Sequence, residues 1–95
     1  MTTLSASPGQ KIADAIRKSP EAIDVYRNVL WHFGDHEHGL QPGSFREALL
    51  TAFAKADPHN FYRLGDAFPL IGSAVDLAKN IEGGMDIMRE AVSGV

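Results

Sequence analysis

Apolar side chains recur along this chain at intervals of three and four residues, and prolines mark where most of the sets begin. Ile12 and Ile16 fall within 8–18, and Ile23, Tyr26, Leu30 and Phe33 within 20–33, with Val29 and Trp31 alongside. Phe45, Leu49, Ala52, Phe53 and Ala56 make the cleanest stripe, over 45–56. Phe61 and Leu64 follow in 58–66, then Ile71, Val75, Ala78 and Ile81 in 69–82. Met85, Met88 and Val92 close the series after Gly83-Gly84. At about 3.6 residues per turn each set lies on one helical face. No stretch alternates apolar and polar residues as a half-buried strand would. The pattern predicts an all-α fold, a single compact domain of five or six short helices over 1–95, with 1–7 flexible.

Four of the five prolines follow a residue that can start a helix: Ser7-Pro8, Ser19-Pro20, Asp57-Pro58 and Phe68-Pro69. Proline at the first helical position loses nothing, because the missing N–H has no partner there, and a Ser or Asp before it can accept from the first-turn amides. "SFRE" at 44–47 has the form of a capping box, with Ser44 as N-cap and Glu47 reaching back.

Composition narrows the function classes. The 95 residues are 44% hydrophobic and 22% charged, a globular balance, and they leave room for one modest core. No apolar run is long enough to span a bilayer, and a cytoplasmic location without membrane contact is expected. Without Cys there is no disulfide or thiolate chemistry, so a metal would depend on His and carboxylate ligands. A net charge of −3 with only nine scattered basic residues makes nucleic acid an unfavourable partner, since phosphate contacts need clustered cations.

The stretch "WHFGDHEHGLQPGSF" gathers three of the four histidines. On an unbroken helix His32 and His36 would share a face as zinc-binding pairs do, with Asp35, Glu37 or His38 as third ligand. Gly34 instead reads as a helix terminus and leaves 34–43 as a His-rich loop, solvated by default. No metal or cofactor is expected, and His32, His36 and His38 would be the ligands if one bound. The remaining carboxylates are spread over the polar faces rather than paired, and no catalytic residue is expected. The junction "FAKADPHNFYRL" resembles a helix-turn-helix, but it offers only His59, Asn60 and Arg63 to base edges.

From "GLQPGSFREALLTAFAKADPHNFYRLGDAFP" through "AVDLAKNIEGGMDIMREAV" the chain resembles small uncharacterised helical proteins of actinobacterial phages and prophages. The matching positions are Gly43, Ser44, Phe45, Ala56, Asp57, Asn60, Arg63, Leu64, Phe68, Pro69, Ala74, Val75, Gly83 and Gly84, within residues 39–92. The chain departs from the pattern at Leu70-Ile71-Gly72 and in the His-rich loop. The resemblance implies a phage or mobile-element origin and brings no catalytic residue.

Several helices carry more apolar side chains than one stripe needs, with Trp31, Tyr62 and Leu70 as the overflow. Such patches mark interfaces, so the leading expectation is a protein–protein interaction module acting on a host or phage protein. Burial of the same side chains in a homo-oligomer is another expectation. The alternative from a different class is a small DNA-associated regulator using the helix pair around Asp57-Pro58, and a metal-dependent hydrolase ranks third.

Overall fold

The computed structural model describes residues 19–93. The helix expected at 8–18, the Ser7-Pro8 start and the flexibility expected of 1–7 lie outside the described residues. Among the described residues the fold is all-α: α1 (Pro20–His32), α2 (Ser44–Lys55), α3 (Pro58–Ala67), α4 (Pro69–Asn80) and α5 (Gly84–Ser93), with no strand.

Three helices begin at their prolines. The Ser19 hydroxyl accepts from the Ala22 amide at 3.2 Å, and Asp57 Oδ1 accepts from the Asn60 amide at 2.8 Å. Phe68 is at once the C-cap of α3 and the N-cap of α4, with φ −133° and ψ 70°. Pro69 keeps Phe68 out of the helical region, so α3 cannot run on into α4.

The core sits around α4, which packs against each of the other four helices. Its Ala74 and Val75 are fully covered, as are Val29 and Leu30 of α1, Leu50 and Phe53 of α2, and Met88 of α5. Truncating a side chain such as Phe53 to Ala costs about 3–5 kcal/mol in comparable cores. α3 has no buried residue and leans on α4, while its Phe61 ring meets Phe53 edge-on at 5.4 Å.

Three local expectations fail. Phe45 lies in the first turn of α2, is 70% exposed and meets the Phe68 ring edge-on, at 6.3 Å between centroids. Ile81 is 45% exposed because α4 stops at Asn80, so Ile81 has extended backbone and leaves the helical phase that would have turned it inward. Ser44 is not a cap. The Gly43 carbonyl accepts from the Glu47 amide at 2.9 Å, which makes Gly43 the N-cap and puts Ser44 inside the first turn; no side chain caps this helix.

Candidate functional site

The His-rich loop is exposed over much of its length, as expected, and is also anchored to its neighbours. α1 ends at His32, and Gly34 adopts φ 102°, a left-handed conformation that suits glycine. The chain then folds back along α1: the Leu40 amide donates to the Arg27 carbonyl at 3.0 Å, and the buried Asn28 side chain donates to the Leu40 carbonyl at 2.7 Å. Asn28 Oδ1 in turn accepts from Arg46 Nη1 at 3.0 Å, joining α1, the loop and the start of α2. Gly39 lies so close to α1 that a Cβ there would collide with the Trp31 backbone amide and the Asp35 carbonyl.

The three histidines take three different partners. His32 Nδ1 lies 3.3 Å from Glu47 Oε2, so the carboxylate expected to complete a capping box faces α1 instead. His36 stacks on Trp31 with ring centroids 3.9 Å apart. His38 Nδ1 lies 3.0 Å from Asp35 Oδ2, and its backbone amide donates to Asp35 Oδ1 at 3.0 Å. Among the described residues no group of three or more His, Asp or Glu side chains is arranged to hold a metal ion.

Asp35 is the hub of this loop. Its Oδ2 also accepts from Arg89 Nε at 2.6 Å, and Arg89 Nη1 donates to Asp86 Oδ1 at 2.7 Å. The Arg89 guanidinium, followed by the His38 amide, holds the Asp35 carboxyl well below the usual carboxylate range against the opposing effect of burial. Asp35, and then Asp86, raise the Arg89 pKa in return. Neither Arg89 nor Asn28 stands out in the sequence as part of the loop, because each is recognised only by a partner distant along the chain.

The residues expected to bind a partner do not form one patch. Trp31 is half-buried beneath His36. Tyr62, 74% exposed, stands on α3 at the rim of a groove of about 500 Å³ between α3 and α4. Leu70, half-buried, lines a second cleft of about 450 Å³ with Phe45, Phe68 and Ile71. Pro69 lines both clefts.

Two glycines face one another along the groove. Gly65 of α3 and Gly72 of α4 pack backbone to backbone, and a Cβ on Gly72 would come within 3.1 Å of the Gly65 Cα. A Cβ on Gly65 would instead meet nothing within 4 Å, so Gly65 leaves that part of the groove beside Phe61, Tyr62 and Pro69 open, while Gly72 lets the two helices approach.

No helix among the described residues is long and apolar enough to cross a membrane. No protein-family model, curated protein or solved structure matches the chain.

Proposed function

We propose that the protein is a small helical interaction module, phage-encoded and cytoplasmic, that binds a host or phage protein and acts by binding rather than catalysis. The observation that carries this reading is the pair of exposed aromatics, Tyr62 and Phe45, each lining a cleft, with Pro69 lining both clefts. Aromatic side chains are favoured at the centres of protein interfaces, and monomers seldom leave several exposed beside one another's clefts. The phage origin rests on the resemblance over residues 39–92. Trp31, covered by His36, anchors the loop, and the contact residues are Tyr62 in one cleft and Phe45 with Leu70 in the other.

The test is affinity capture from bacterial lysate, with and without nuclease, comparing the wild-type chain with Tyr62→Ala and Phe45→Ala. A protein retained by the wild type and lost from both variants is the expected result. Retention of nucleic acid, or capture indifferent to both substitutions, would overturn the reading and favour a regulator built on the Asp57-Pro58 helix pair.

A further inference from the structure

The α3–α4 groove has an uneven distribution of charge along its apolar walls. Its charged lining residues are Asp66 from α3, Asp76 from α4 and Lys79. The lysine still counts against the two carboxylates, leaving the lining with one net negative charge, but among the described residues it pairs with neither, because its ammonium donates to the Ala54 carbonyl at 3.1 Å, in the last turn of α2. There it meets the partial negative charge of a helix C-terminus. Asp76 accepts only a neutral donor, Asn80 Nδ2, at 2.7 Å. Asp66 is exposed and has no hydrogen-bonding or ionic partner among the described residues. The apolar surface of Phe61, Tyr62 and Pro69 thus shares the groove with two carboxylates, neither paired with a cation among the described residues.

We infer that the groove's occupant is a cationic amphipathic segment of another protein, with an apolar side chain seated against Phe61 and Tyr62 over the Gly65–Gly72 floor and Lys or Arg side chains meeting Asp66 and Asp76. This rests on the reading of the protein as an interaction module and adds the chemistry of its partner. An acidic segment would bring like charges to both carboxylates, and a purely apolar one would leave the rim charges without complements.

The experiment titrates the full chain with two synthetic helix-forming peptides of about twelve residues, one alternating Leu and Lys faces and one with Glu in place of Lys. Calorimetry measures affinity, and amide shifts at Gly65 and Gly72 report location. The Lys peptide is expected to bind with shifts at both glycines, to weaken as salt rises and to lose roughly tenfold in affinity in Asp66→Asn/Asp76→Asn. The control Asp24→Asn/Glu82→Gln removes the same number of negative charges outside the groove and is expected to bind as the wild type does. Absence of binding, equal binding of the Glu peptide, or equal loss in the two double variants overturns the inference. If both peptides bind equally and Tyr62→Ala abolishes both, the groove remains an interaction surface and only its charge preference fails. If neither binds and the capture experiment also retains no protein, the interaction reading fails with it.

Discussion

Arg89 Nε donates to Asp35 Oδ2 at 2.6 Å across 54 positions of chain, tying the turn after the first described helix to the last one. Both side chains are partly shielded, Asp35 at 9% and Arg89 at 36% exposure, so the bond is less screened than a fully solvated pair. Arg89→Ala should cost about 1–2 kcal/mol, read as a lower urea midpoint with an unchanged slope.

Acid should act through the same pair. The folded-state pKa of Asp35 lies below its unfolded value of about 3.9, so the stabilisation is fully present above about pH 4 and is lost as pH falls from there through the folded value. Asp35→Asn should be less stable than the wild type at neutral pH and show a flatter loss of stability on acidification. Urea midpoints measured from pH 6 down to 2 would show it; parallel wild-type and variant curves would contradict the assignment.

The caps make a paired comparison. Ser19→Ala and Asp57→Ala each remove an acceptor from a first-turn amide and should cost about 1 kcal/mol. Ser44→Ala removes no cap and should change the thermal midpoint little. An equal loss in all three would show that Ser44 caps α2 after all.

Those three serine and aspartate positions also show what could be read from sequence. A proline at the first helical position fixes φ locally, so the starts of α1, α3 and α4 and the all-α class follow from neighbouring residues. The role of Ser44 depends on whether the helix starts at Gly43 or one residue later, and the Glu47 carboxylate that would have closed a capping box turns toward His32, on another helix. Phe45 and Ile81 fail for a related reason: periodicity gives the direction of an apolar face but not how far neighbouring helices extend to cover it. In the loop, Gly34 correctly predicts the break after α1, whereas the anchoring by Asn28, Arg46 and Arg89 depends on contacts that no local pattern encodes.

Gly39→Ala should be more damaging than Gly34→Ala. At Gly34 the added methyl meets nothing, and the cost is that of a positive φ, about 1 kcal/mol. At Gly39 it strikes the backbone of α1, which cannot move aside without disturbing the helix, and about 2–4 kcal/mol is expected. Chemical denaturation of the two variants would rank them.

Because His32, His36 and His38 each have their own partner, stripping metal should leave the melting temperature unchanged in protein purified without a histidine tag. Stoichiometric zinc in the untreated sample, with a large drop in stability on chelation, would contradict this.

Phe68, shared as a cap by two helices, leaves no slack between α3 and α4. Inserting one residue between Ala67 and Pro69 would rotate α4 by about 100° relative to α3. Ile71, Ala74 and Val75 would then swing away from the core they fill, and Gly72 would lose its place against Gly65. Substitutions at this elbow can be absorbed by repacking, but a change in the number of residues cannot. The interval from Pro58 to Asn80 is therefore a fixed length, and related sequences that keep this groove should differ there in residue identity and not in spacing.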